Sequence, residues 1–187
     1  MYQYNRKKEI IKNTVYIIFI LLLAVIPTYY IYNKFKEVRD ISVNSDLLDV
    51  TYHENTGDKI TLTKVTPVTD SVGLSTKAYK ITVKNNLTEK VNYKVILEDD
   101  IEKINEDLCG DRLISKDVIK VSVKTNEMAN KIYYLSEVEN GILLEDTMDA
   151  LEKTDISIRV WIRQDSSIPS GSKLHYHGKI RVDEANK

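Results

Sequence analysis

Residues 156–163 read ISIRVWIR. Ile156, Ile158, Val160 and Ile162 take every second position, and Ser157, Arg159, Trp161 and Arg163 take the others. Successive side chains of an extended chain point to opposite faces, so this order puts four β-branched residues on a core and two arginines in water. A helix needs an apolar repeat of three to four residues, which the stretch lacks. It therefore reads as a half-buried strand. Trp161 breaks the pattern by standing on the polar side, where it either packs under a loop or helix or forms part of a binding patch; packing is the favoured reading.

The same period recurs on both sides. Ile60 and Leu62; Tyr79, Ile81 and Val83; Val91, Tyr93, Val95 and Leu97; Ile119, Val121 and Val123; and Leu174, Tyr176, Ile180 and Val182 all alternate with mostly polar neighbours. Residues 131–135, KIYYL, make a further short strand. Parallel sheets need crossover helices and continuous apolar runs, and neither is present. The expectation is an all-β chain, an antiparallel β-sandwich with one or two short helices. The clearer helix is DDIEKINEDLCG (99–110), with Ile101, Ile104 and Leu108 on one face and Gly110 as its stop. Residues 144–153, LEDTMDALEK, read as a second short helix or an extended connection. Asn85-Asn86 marks a hairpin turn, and the sequon Asn86-Leu87-Thr88 falls within it.

The N-terminus has a different character. Residues 15–32, VYIIFILLLAVIPTYYIY, carry no charge over eighteen positions. As a helix they span ~27 Å, close to the ~30 Å apolar core of a bilayer. Tyr29, Tyr30 and Tyr32 gather at one end, as aromatic residues do at a membrane boundary. The run is longer than the apolar part of a secretory signal, and no small-residue cleavage pattern follows it. Arg6, Lys7, Lys8 and Lys12 precede it, against Lys34, Lys36 and Arg39 after it, which favours a cytoplasmic N-terminus. The expected organisation is a cytoplasmic tail (1–14), a transmembrane anchor (15–32), a stalk or first strand (33–57) and an extracytoplasmic β-sandwich (58–187).

Composition narrows the function. The formal net charge is −1, and the first 14 residues contribute +3, so the rest carries about −4. A nucleic-acid binder would show a basic surface, and none is legible here. Cys109 is the only cysteine, so no intramolecular disulfide forms. It reads as a small buried residue rather than a nucleophile, since no histidine lies near it in sequence. His175 and His177 stand two apart and share one side of a strand. Such a pair can ligate a metal, but His53 is the only other histidine, and the alternation puts both on the wet face opposite Leu174 and Tyr176. The carboxylates of 98–107, namely Glu98, Asp99, Asp100, Glu102, Glu106 and Asp107, lack the spacing of a calcium loop and read as a solvated helix face. No phosphate loop, hydrolase elbow or zinc-protease motif occurs. No catalytic, cofactor-binding or metal residue is assigned, no cofactor is expected, and the chain reads as a non-enzyme.

Two segments resemble bacterial immunoglobulin-like surface domains, including the camelysin and biofilm-fibre family of Firmicutes. They are AYKITVKNNLTEKVNYKVILEDD (78–100) and the pair DISIRVWIRQ (155–164) with SGSKLHYHGKIRV (170–182). The resemblance implies an exported β-sandwich of immunoglobulin-like type that serves adhesion or assembly. One departure is the retained anchor, since those fibre subunits are released by cleavage. The expected function is a single-pass surface protein at the cell membrane whose ectodomain mediates binding, adhesion or assembly. A non-catalytic subunit or sensor of a membrane complex is the alternative, and an envelope metalloenzyme using His175 and His177 comes behind it. The expected partners are the membrane, through residues 15–32, and a protein partner or further copies of the chain.

The anchor reading makes a direct prediction. Intact-mass analysis of cell-derived protein is expected to find residues 1–32 present, and external protease to digest the C-terminal part on spheroplasts. A mature chain starting beyond Tyr32 would overturn it.

Overall fold

The computed structural model describes residues 47–54 and 57–185, the backbone of 41–44, and Thr14. The chain divides into two compact units, Met1–Arg39 and Asp40–Lys187, and every strand below belongs to the second. The anchor expected over 15–32 lies outside the described residues. Among the described residues no helix is long and apolar enough to cross a membrane.

Alternating sequence becomes two antiparallel sheets. The six-stranded sheet has the order β1-β2-β4-β9-β6-β7, from β1 (Ile41–Asn44), β2 (Leu48–Tyr52), β4 (Tyr79–Asn85), β9 (Lys153–Ile162), β6 (Ile119–Lys124) and β7 (Lys131–Tyr134). The four-stranded sheet has the order β3-β10-β5-β8, from β3 (Lys59–Leu62), β10 (Tyr176–Glu184), β5 (Val91–Asp99) and β8 (Ile142–Met148). The stretch ISIRVWIR is most of β9, which pairs with both β4 and β6. The stretch 33–57, open in sequence between stalk and first strand, contributes β1 and β2.

One apolar core joins the sheets, the arrangement of a β-sandwich. Ile81, Val83, Val121, Val123, Ile156 and Ile158 from one sheet and Tyr93, Val95, Leu97, Leu143 and Ile180 from the other are buried in it together. Tyr79, expected in this core, is only half-buried and packs at its edge. β5 departs from strict alternation, with Val95, Ile96 and Leu97 all buried. The register against β8 slips there, from Val95↔Leu144 to Ile96↔Ile142, and a bulge re-aims side chains in this way.

Polar devices shape the ends. Asn85 is buried, donates from Nδ2 to the carbonyls of Glu89 and Asp149, and accepts from the Leu87 amide, which locks the β4–β5 turn. Trp161 packs under a one-turn helix, α1 (Asp70–Gly73). A Cβ on residue 73 would run into the Trp161 ring, so only glycine lets the helix sit this close. The indole Nε1 donates to Asp70 Oδ1 at 3.3 Å, and Lys120 Nζ holds the same carboxylate at 2.8 Å.

One helical alternative is decided and one expectation revised. Residues 144–153 take the extended alternative, completing β8 and then turning, with no helix there. The helix of 99–110 is shorter than expected, α2 (Ile101–Glu106), with Asp100 as its N-cap accepting from the Lys103 amide. It ends at Asp107, and Leu108 turns to φ 47°. Ile101 and Leu108 therefore leave the expected apolar face and stand exposed, and Ile104 alone is partly buried.

Ile158 is fully buried at the centre of the six-stranded sheet. Ile158→Ala is expected to cost about 2–5 kcal/mol of stability, by transfer and cavity terms together. Denaturant unfolding measures it, and a loss below about 0.5 kcal/mol, the size of a surface change, would contradict this core.

Candidate metal centre

β10 runs between β3 and β5, and its first residues lie where the neighbouring chain folds over the sheet. His177 is opposite Thr61 of β3, and its carbonyl accepts from the Asp100 amide at 3.1 Å, just where β5 gives way to α2. Tyr176 and Ile180 face the core, as the alternation requires. His177 faces the other way and is nevertheless only 2% exposed. This corrects the wet-face reading of the pair: the face is right, but α2 and the segment after it cover it. His175 is half-buried.

The covering segment has an unusual backbone. Leu108 and Gly110 both take φ 47°. The left-handed region costs a branched residue such as leucine of order 1 kcal/mol, so the surroundings must hold Leu108 there. The Arg112 guanidinium does so in part, donating to the Leu108 carbonyl at 2.9 Å and the Asp107 carbonyl at 3.3 Å. The Leu108 side chain points out, 80% exposed, and Cys109 points in, 1% exposed. A 3-10 turn (Gly110–Arg112) follows, and the backbone then bridges β10: His175 donates to the Arg112 carbonyl and accepts from the Ile114 amide, both at 2.9 Å.

The fold thus brings Cys109 to His175 and His177. One ligand atom from each of the three lies within 4.8 Å of the others. The imidazole centroids are 5.0 Å apart, with ring planes at 53°. Nε2 of both histidines is buried and has no hydrogen-bond partner among the described residues. A buried polar atom without a partner costs about 1–3 kcal/mol, so two in one place call for an occupant. On the far side of the His177 ring, Nδ1 is 3.4 Å from Thr61 Oγ1. A ligating histidine commonly donates its second N–H in this way, which fixes its ring. Burial pushes the His177 pKa down, and the neighbouring His175 pushes it further, against the opposing pull of Asp107. The neutral imidazole this favours is the form that binds a metal. A thiolate and two imidazoles suit zinc or copper.

Other residues weighed in the sequence go elsewhere. His53 bonds Thr82 Oγ1 at 2.8 Å on the six-stranded sheet. The carboxylates of 98–107 are largely taken up by cations: Glu98 by Arg181, Asp99 by Lys116, Asp100 by Lys59, and Glu106 and Asp107 by Lys103. They form no calcium loop. Sequence reasoning weighed Cys109 and the histidines separately and did not join them. They lie far apart along the chain, and only the crossover of α2 over β10 makes them neighbours.

No family model and no curated protein matches the chain. Among solved structures, one described as "AvmM Catalyzes Macrocyclization in Alchivemycin A Biosynthesis" aligns with 10% identity over 73% of this chain and 95% of its own, at a TM-score of 0.22. A likeness of that size carries no argument about fold or function.

The buried placement predicts unequal effects for the two histidines. His177→Ala is expected to destabilise the fold by about 1–3 kcal/mol, because it empties a closed site, and His175→Ala by less. Urea unfolding of the metal-free variants measures this, and two equal, negligible losses would restore the wet-face placement.

Proposed function

We propose that this chain is a metal-binding surface protein, in which an N-terminal membrane anchor displays an immunoglobulin-like β-sandwich that holds one zinc or copper ion at Cys109, His175 and His177. The observation that carries the metal reading is the convergence of the chain's lone cysteine with two buried imidazole nitrogens that make no hydrogen bond among the described residues. The apolar run 15–32 supports the anchor, and the strand pattern of 78–100 and 155–182 supports the resemblance to surface domains.

The ion's role in this reading is to serve binding and assembly rather than chemistry. It lies under a covering segment, beside a sheet whose other face is core. It ties residues 107–112 to His175 and β10, which otherwise meet through one backbone hydrogen bond, from His175 to Arg112, and the contact of Asp107 with His177. An exported domain with one cysteine cannot make that tie with a disulfide of its own. The ectodomain then presents its outer surfaces to a protein partner or to further copies of itself.

The test uses the full-length chain, purified in mild detergent without chelators. Elemental analysis is expected to find one zinc or copper per chain, and Cys109→Ser and the double change His175→Ala, His177→Ala to lose it. Added metal should raise the melting temperature in a concentration-dependent way, since free ion at ~1,000 times its Kd contributes about 4 kcal/mol. Metal-free wild-type protein whose melting is indifferent to added zinc and copper would sink the proposal.

A further inference from the structure

We infer that Asp107 is the fourth ligand of this centre, and that it makes the centre a closed zinc site. The inference rests on the metal-binding reading above and adds to it both the missing donor and the identity of the ion.

Position speaks first. Asp107 Oδ2 is 3.3 Å from His177 Nε2. That nitrogen is one of the two buried atoms without a hydrogen bond among the described residues, so the carboxylate approaches it without satisfying it. Around a tetrahedral zinc, with bonds of about 2.0–2.3 Å, adjacent ligand atoms are about 3.3–3.8 Å apart. Asp107 and His177 already stand at that spacing.

The other carboxylate oxygen has a separate task. Oδ1 pairs with Lys103 Nζ at 2.9 Å, one helical turn earlier on α2. Ligating carboxylates are themselves hydrogen-bonded, and such a partner fixes which oxygen faces the ion. Lys103 thus orients Asp107 as Thr61 orients His177.

The backbone accounts for how residues 107 and 109 reach the same side. Asp107 closes α2, Leu108 turns through φ 47° with its side chain in solvent, and Cys109 comes in beneath. Cys109 thus joins His175 and His177 in one group of three, and Asp107 stands at its solvent-facing rim against His177.

Donor chemistry selects the ion. A thiolate, two neutral imidazoles and a carboxylate at the exposed rim beside Lys103 make a mixed S, N and O set of the kind zinc takes. The trigonal copper sites made of two histidines and a cysteine keep a weak, distant axial ligand such as methionine, whereas a carboxylate is an ordinary strong ligand of zinc. With four protein donors no position stays open for substrate, which is the coordination of a structural rather than a catalytic zinc.

The test titrates zinc into the full-length wild type, Asp107→Ala and Glu106→Gln, in competition with a chromophoric chelator. Glu106 also pairs with Lys103, at 3.3 Å, so its change removes the same charge from the same helix end without removing a donor. Asp107→Ala is expected to bind one zinc with affinity weakened by more than about tenfold, the loss seen even when an outer partner of a ligand is removed. Glu106→Gln should match the wild type. With Co2+ in place of zinc, the wild type should show the intense visible bands of a tetrahedral site together with a thiolate charge-transfer band. Asp107→Ala should keep the charge-transfer band and lose much of the visible intensity. Zinc binding in Asp107→Ala as tight as in the wild type would remove Asp107 from the ligand set and leave the three-residue centre standing. Absence of zinc binding by the wild type would overturn the centre and the fourth ligand together.

Discussion

Desolvation of the inward faces of β9 and β5 holds the two sheets to each other, and the rest of the molecule is arranged around that contact. Ile156 and Ile158 on one side and Val95 and Leu97 on the other have almost no exposure to water. Apolar area removed from water contributes roughly 25 cal/mol per Å², so a shared core of this extent is the main force available to a disulfide-free domain. It also sets the register. A slip of one residue along β9 would turn its isoleucines outward and bring Ser157 and Arg159 in, so the pairing with β4 and β6 is strongly specified.

A sandwich has two outer faces as well as a core, and this one covers parts of both. On the six-stranded sheet, α1 seats over Trp161, with Gly73 allowing the approach and Asp70 joining the indole to Lys120. On the four-stranded sheet, α2 and the turn after it cover the start of β10. The two covers differ in chemistry. Beneath the first the polar atom of Trp161 is paired. Beneath the second the Nε2 atoms of both imidazoles make no hydrogen bond among the described residues, and the left-handed turn at Leu108 brings Cys109 toward them. Strain and unsatisfied polarity in one place are the combination that sets the second cover apart as a site.

Such a site would also answer a question of stability. The segment from Asp107 to Arg112 lies over β10 with an exposed leucine, an exposed arginine and short helical turns, and it buries little apolar surface apart from Cys109. Local contacts of this kind open easily. An ion bridging the segment to His175 and His177, as proposed, would supply the energy that the missing apolar contacts do not.

Much of this architecture is legible in the sequence alone, because period two is a local property. ISIRVWIR is a strand on any reading, as are the runs that became β4, β5, β6 and β10, and the turn at Asn85-Asn86 follows from side-chain chemistry within a few residues. β8 is not legible, since ILLEDTM mixes buried and exposed residues around a bulge, nor is the early end of α2, which depends on one left-handed leucine. The candidate centre shows the limit most clearly. Alternation puts His175 and His177 correctly on the face opposite the core, but it carries no information about what lies over that face. Only the tertiary structure decided that α2 would cross there and bring Asp107 and Cys109 to the histidines. The physical reason is that a strand's periodicity is set by its own backbone, whereas a cover is set by long-range packing between segments that have no local relation in sequence.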